Sequence, residues 1–241
     1  MLMLFDDQFK KMNINLDTNQ LEKFNIYYKF LIEYNKSVNL TSITNENEVY
    51  VKHFIDSLLA VKMINLKGKL IDIGTGAGFP GVPLKIFNPD LDVYLLDSSE
   101  KKTIFLKKLS KLLNIEVKII NSRSEDLAKT QRYRGKFDIC VSRAVSSLDI
   151  LSEICIPLLK KNGKLIAFKG PSLYDELKYS EPILSLLKSK LEKISKFDLP
   201  DNYGERLLVC IKKIGDTSKM YPRNYSQIKK DSDFRKAKFL K

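Results

Sequence analysis

Apolar positions between residues 4 and 36 recur at helical spacing, with Phe24, Tyr27, Tyr28, Leu31 and Ile32 sharing one side. The same spacing predicts a second helix from about Glu46 to Met63, capped by Thr44 or Asn45 with Glu48 three or four positions on. From Lys69 onward the pattern changes to short apolar runs that alternate with amphipathic stretches. Strands are expected near 69–73, 92–97, 116–120, 137–142 and 163–169, and helices near 82–88, 99–113, 147–160 and 172–193. Such alternation builds a parallel, doubly wound α/β sheet. The last two apolar runs, 194–199 and 206–213, are joined only by Pro200–Gly204, too short for a helical crossover, so they are expected to pair antiparallel. The chain therefore divides into an N-terminal helical segment at 1–66, an α/β domain at 67–215 and a C-terminal tail at 216–241.

The sharpest departure from this pattern is the stretch 70–81, Leu-Ile-Asp-Ile-Gly-Thr-Gly-Ala-Gly-Phe-Pro-Gly. An apolar strand ends in an acid and then breaks into glycines. With no Cβ at Gly74, Gly76 and Gly78, a nucleotide-like ligand can lie directly against the main chain at the strand's carboxyl end. Asp97 closes the next apolar run about 20 residues later, where a carboxylate can accept hydrogen bonds from ribose hydroxyls. Residues 76–81 also fit the dinucleotide fingerprint G-x-G-x-x-G, which keeps a nicotinamide-dependent oxidoreductase in view. Against it, Pro80 and Pro83 remove amide donors where a pyrophosphate would need them. The acid Asp72 before the first glycine suits a ligand that carries an ammonium group and no pyrophosphate, as S-adenosylmethionine does.

Composition narrows the setting. The chain of 241 residues has three cysteines, Cys140, Cys155 and Cys210, each inside an apolar run and without metal-ligand spacing, so buried thiols in a reducing cytosol are expected and no metal. The opening Met-Leu-Met-Leu-Phe turns acidic at Asp6, too soon for a signal sequence, and no apolar run reaches membrane-spanning length. A cytoplasmic protein is the expectation. The formal net charge of +13 points to a polyanionic partner such as nucleic acid. Only seven of the 42 basic residues are arginine, and none precedes Arg123. Residues 216–241 hold eight basic against three acidic residues, interleaved with Tyr221, Tyr225, Phe234 and Phe239, a pattern that fits either an RNA-contacting tail or a solvated one.

Several short motifs, in this order, resemble the glucose-inhibited division protein B family: Asn39-Leu40-Thr41-Ser42, Lys52–Leu58, the glycine loop with its Phe79-Pro80-Gly81 extension, Leu96-Asp97-Ser98, Ser142-Arg143-Ala144, Lys169-Gly170 and Gly204-Glu205-Arg206. Tyr221-Pro222-Arg223 resembles the family's C-terminal motif, whereas Asp231–Lys241 resembles nothing in it. The resemblance implies a class I, Rossmann-like methyltransferase fold, with a seven-stranded sheet whose last strand is antiparallel. It also implies S-adenosylmethionine as cofactor and N7 of one guanine in bacterial 16S ribosomal RNA, free or in the small subunit, as acceptor. A monomer is expected.

Through the same resemblance Gly74 and Phe79 would line the cofactor, Asp97 would bind its ribose with Ser98 and Ser99 following, and Ser124 and Glu125 would face the adenine. Without the resemblance, Glu125 reads as an acid favoured at a helix N-terminus. Arg143, at the tip of the fourth strand, would hold the methionine carboxylate or an RNA phosphate with its planar fork. His53, the only histidine, reads as structural. Guanine N7 carries a free lone pair and no proton, so a site without an obvious base suits this chemistry; alignment and charge stabilisation would carry it. A non-catalytic RNA-binding protein that keeps a nucleotide site remains the other reading.

Overall fold

The computed structural model describes residues 2–239. Helices α1 (Leu2–Lys11) and α2 (Thr18–Asn35) replace the single periodic stretch expected at 4–36. The chain breaks between them at Asn13, whose φ of 52° is left-handed, and α2 restarts behind a capping box made by Asp17 and Gln20. The helix expected at 46–63 is present as α3 (Glu46–Val49), a π-helical stretch at Tyr50–Ile55, and α4 (Asp56–Met63). Asn45 caps it, accepting from the Glu48 amide.

The sheet consists of β1 (Lys69–Ile73), β2 (Asp92–Asp97), β3 (Lys118–Asn121), β4 (Phe137–Arg143), β5 (Leu159–Lys169), β6 (Ser189–Asp198) and β7 (Glu205–Lys213). Its order is β3-β2-β1-β4-β5-β7-β6, with β7 antiparallel to both neighbours and the other pairings parallel. Helices α5 (Gly81–Phe87), α6 (Glu100–Leu112), α7 (Ser124–Leu127), α8 (Leu148–Cys155) and α9 (Leu173–Leu186) form the crossovers. Strand order reverses between β1 and β4, so the crevice at their carboxyl ends is the expected ligand position.

Two expected boundaries moved. The helix expected at 172–193 stops at Leu186, because Lys188 adopts a φ of 54° and residues 189–193 pair with β7 instead. Likewise β5 begins at Leu159, directly after the 3₁₀ turn Ile156–Leu158, where the pattern suggested helix to residue 160. In both places strand pairing supplied hydrogen bonds that a longer helix would have forgone.

Two apolar layers cover the sheet. On one side, Phe9, Phe24, Tyr27 and Phe54 of the N-terminal helices meet Leu84 and Phe105. On the other, Leu148, Leu151 and Ile183 meet Ile228 of α10 (Tyr225–Phe239). The segment after residue 216, read as a tail, is thus anchored. Arg223 grips the fully buried Glu153 of α8 through its amide (3.0 Å), Nε (2.9 Å) and Nη2 (2.8 Å), and Arg235 pairs with the equally buried Asp149 at 2.9 Å.

Candidate active site

The glycine loop is built around two carboxylates. The Gly74 and Thr75 amides both donate to the Leu96 carbonyl, at 2.9 and 3.0 Å, which binds the loop's start to β2. Asp72 is wholly buried, and its Oδ2 accepts from the Thr75 hydroxyl (2.6 Å) and the Gly81 amide (2.8 Å). Burial pushes its carboxyl up to about 7, against the lowering effect of those donors. Asp72 therefore fastens the two ends of the loop together beneath it and does not face a ligand. The same contact occupies the first amide of α5, and the Val82 amide is taken by the Gly78 carbonyl at 2.8 Å. A dinucleotide pyrophosphate would find neither amide free, which counts against the G-x-G-x-x-G reading.

Asp97 is the second carboxylate. Its Oδ2 accepts from the Gly76 amide and its Oδ1 from the Ser99 amide, both at 2.9 Å, so the loop and the start of α6 hold it from two sides. Each oxygen keeps a lone pair for a further donor. Gly74 has a φ of 69°, and a Cβ there would come within 2.6 Å of the Val145 side chain. The loop thus passes Val145 as closely as a backbone can.

Gly74, Asp97, Ser98, Ser124 and Glu125 line one cavity of about 340 Å³ at the carboxyl ends of the first strands. Ser99 acts on it through Asp97. The Ser124 hydroxyl donates to the Ile154 carbonyl at 2.9 Å, while Glu125 shares the rim with Arg123. Main chain without Cβ atoms, a carboxylate with spare lone pairs and the apolar floor of Ile73 and Leu96 together fit an adenosyl group.

Phe79 and Arg143 lie elsewhere. A neighbouring cavity of about 430 Å³ shares only the Ala144–Val145 wall with the first and is lined by Lys52, His53, Asp56, Arg143, Lys169 and Arg206. Ala144, with a φ of 56°, turns the chain between the two. The Arg143 fork is already engaged: Nη1 donates to Asp56 Oδ2 and the Lys52 carbonyl, both at 3.0 Å, and Nη2 to His53 Nδ1 at 3.2 Å. Since a guanidinium only donates, Nδ1 of His53 is the acceptor and its proton sits on Nε2, directed at the Thr41 hydroxyl 3.0 Å away. Burial and the adjacent Arg143 bring the imidazole down to about 3, so it is neutral at physiological pH. Phe79 is buried beneath this network, stacked between Tyr27 (5.3 Å) and His53 (4.6 Å). Lys169 pairs with Glu176 at 2.7 Å.

Residues 20–205 match the family described as rRNA small subunit methyltransferase G. Proteins named ribosomal RNA small subunit methyltransferase G are 46% identical over 221 residues in Lactobacillus helveticus, covering 90% of this chain and 92% of that protein, and 41% identical over 222 residues in Bacillus subtilis, covering 91% and 93%. The chain belongs to the rRNA small subunit methyltransferase G family. Solved structures agree on the fold: a ribosomal protein L11 methylase from Lactobacillus delbrueckii subsp. bulgaricus superposes with a TM-score of 0.52 at 17% identity, over 68% of this chain and 79% of that one. A TYW2 from M. jannaschii, solved with AdoMet, gives 0.51 at 15% over 66% and 77%. The class I methyltransferase architecture that the family resemblance implies is the one observed.

Within this family member the site holds residues to which no role had been assigned. Asp56, Lys169 and Arg206 lie in motifs that carry the family resemblance, yet only the fold shows them sharing a cavity with Arg143. Tyr225, from α10, lines the first cavity. Its place in a basic, aromatic stretch fits an RNA contact or a solvated tail, and nothing in the sequence marks it as a neighbour of Gly74.

Proposed function

We propose that this protein is an S-adenosylmethionine-dependent methyltransferase acting on N7 of a guanine in the 16S ribosomal RNA of the small subunit. The observation that carries this reading is the pair of adjoining cavities at the β1–β4 crevice, divided only by Ala144 and Val145, in a chain of this family. The cofactor supplies a methyl group activated on a positively charged sulfur. Gly74, Asp97, Ser98, Ser124 and Glu125 hold its adenosyl end, with Asp97 accepting from the ribose hydroxyls and Glu125 from the adenine amine. Ser99 fixes Asp97, and Phe79 with Arg143 supports the glycine loop and the wall beside the transferred methyl.

The second cavity receives the guanine. N7 needs no base, and His53 is not arranged as one, because its Nδ1 already accepts from Arg143. A methylated guanine gains positive charge, so unpaired cations beside it would oppose the reaction. Here Arg143 and Arg206 share Asp56, at 3.0 and 3.3 Å, and Lys169 has Glu176. Lys169 is thereby neutralised and the two arginines keep one net positive charge between them, so the wall carries less charge than its three cations alone would. What the residues contribute is alignment and a shaped pocket. Extracting the base from its stack is inexpensive in a single-stranded loop.

Among the described residues no helix is long and apolar enough to cross a membrane. A ribosomal substrate and the +13 charge favour action in the cytoplasm, with the chain working as a monomer. The test is mass mapping of modified nucleotides in ribosomal RNA from cells that lack the protein. One 7-methylguanine should vanish from the 16S RNA and return when purified protein and cofactor are added; an unchanged map would refute the reading.

A further inference from the structure

At the amino ends of the strands, opposite the active-site crevice, a separate cavity of about 610 Å³ opens beside the sheet's β3 edge. It reaches the start of β1 at Lys69, of β3 at Lys118 and of β4 at Phe137. Cations and aromatic rings line it, and no acidic residue does. Lys118 is held by Asp92 at 2.6 Å and lies over the Tyr94 ring at 4.7 Å. Lys69, Arg132 and Lys136 are exposed and form no ion pair among the described residues.

The rings are held in place. Phe137 is buried; Tyr94 meets it edge-on at 5.0 Å, and Tyr133 stacks parallel to it, with 9° between the ring planes, at 6.4 Å. Tyr133 is only half-buried, and the Arg132 guanidinium lies over its ring, 5.2 Å from the centre. An aromatic ring carrying a planar guanidinium, bordered by lysines without an ion pair, suits single-stranded nucleic acid, since a base stacks on the ring or on the guanidinium plane and phosphates take the charges. The volume lies within the range of small-ligand pockets and suffices for a nucleotide. An acidic peptide would use the cations and leave the ring faces idle.

We propose that this cavity is a second RNA contact, taking one unstacked nucleotide of the substrate with its base on Tyr133 and its phosphates on Arg132, Lys136 and Lys69. The proposal rests on the reading of the protein as an RNA methyltransferase and adds a site remote from the reacting guanine. It would anchor a flanking strand while the β1–β4 crevice holds the acceptor, so that affinity and chemistry are carried at opposite ends of the sheet.

The probe is a short, guanine-free single-stranded RNA carrying 2-aminopurine, titrated into the full-length protein; lacking guanine, it reports this cavity independently of methyl transfer. Binding should quench the fluorophore. The double substitution Arg132→Ser/Lys136→Ser should weaken binding roughly tenfold and reduce the slope of log affinity against log salt by about 1.4. Tyr133→Ala should abolish the quench and Tyr133→Phe should keep it, which separates stacking from loss of fold. Cofactor affinity, measured by calorimetry, should stay within twofold in all of them. The proposal is overturned if the double variant binds within twofold of the parent, or if removing two exposed lysines on α6, Lys107 and Lys111, weakens binding equally. Failure of the methyltransferase reading would appear separately, as a parent protein that binds the probe but transfers no methyl to ribosomal RNA.

Discussion

The guanidinium of Arg143 lies 5.1 Å from the centre of the Phe79 ring. Through that contact the tip of β4 rests on the glycine loop, and the far face of Phe79 rests on Tyr27 of α2, whose hydroxyl donates to the Ala77 carbonyl. The loop that borders the cavity lined by Gly74 and Asp97 is therefore supported from below by the N-terminal helices. Gly78 shows how close the support is, because a Cβ there would stand 2.7 Å from the Tyr27 hydroxyl.

Arg143→Ala should remove that support and strand Asp56, which is nearly inaccessible, with Arg206 alone beside it. Breaking a buried pair by removing one partner costs about 3 to 5 kcal/mol. Thermal melts should register most of that loss, and Asp56→Asn in the same chain should recover part of it. Methyl transfer should fall further than cofactor affinity, since the arginine lines the neighbouring cavity. Arg143→Lys, which cannot bind Asp56 and His53 at once, should recover stability better than turnover. Parental turnover in both variants would remove Arg143 from the site.

Asp97→Ala deletes the acceptor for the Gly76 and Ser99 amides and for the proposed ribose donors. Hydrogen bonds to a charged partner are worth roughly 1.5 to 3 kcal/mol each, so S-adenosylmethionine affinity should drop by at least tenfold in calorimetry. An affinity within twofold of the parent would mean that this carboxylate does not hold the ribose.

Asp72 and His53 impose opposite pH dependences. The folded state raises Asp72 from 3.8 to about 7, so the fold binds the extra proton and loses stability as pH climbs through that window. His53 is lowered from 6.5 to about 3, so the fold resists protonation and loses stability as pH falls through its own window. The two offset each other in the parent between roughly pH 4 and 6.5. Asp72→Asn keeps an acceptor for the Gly81 amide and removes one of the two slopes. Its melting temperature relative to the parent should rise steadily from pH 4 to 7; a constant difference would show that Asp72 is not titrating there.

Deleting residues 216–241 should destabilise the fold, because it leaves Glu153 and Asp149 buried without Arg223 and Arg235. The shorter substitution Arg223→Ala should by itself cost about 3 to 5 kcal/mol in denaturant unfolding. Tyr225→Ala, which spares those pairs, should weaken cofactor binding through loss of a cavity wall. Unaltered cofactor affinity in Tyr225→Ala would show that α10 contributes stability only.

Local pattern was enough for the class of fold. Strand and helix periods from Lys69 onward, the short Pro200–Gly204 link and the glycine loop with Asp97 beyond it are all sequence-neighbour properties, and the elements appear in the expected order, with the ends of α9, β5 and β6 displaced by strand pairing. Gly74 and Asp97 stand out by local pattern and Ser98, Ser124 and Glu125 only through the family resemblance; the structure gathers all five at one cavity because parallel strands bring their tips to one edge. What the sequence could not decide was any contact between residues far apart along it. Asp72 reads as a ligand-facing acid until the fold turns it inward to Gly81. Arg143 reads as a cofactor anchor until α4 brings Asp56 to its fork. The basic segment after residue 216 reads as a tail until buried Glu153 and Asp149 claim its arginines. In each case the deciding term is the cost of burying a charge, which depends on what the tertiary structure places beside it and leaves no periodic mark on the chain.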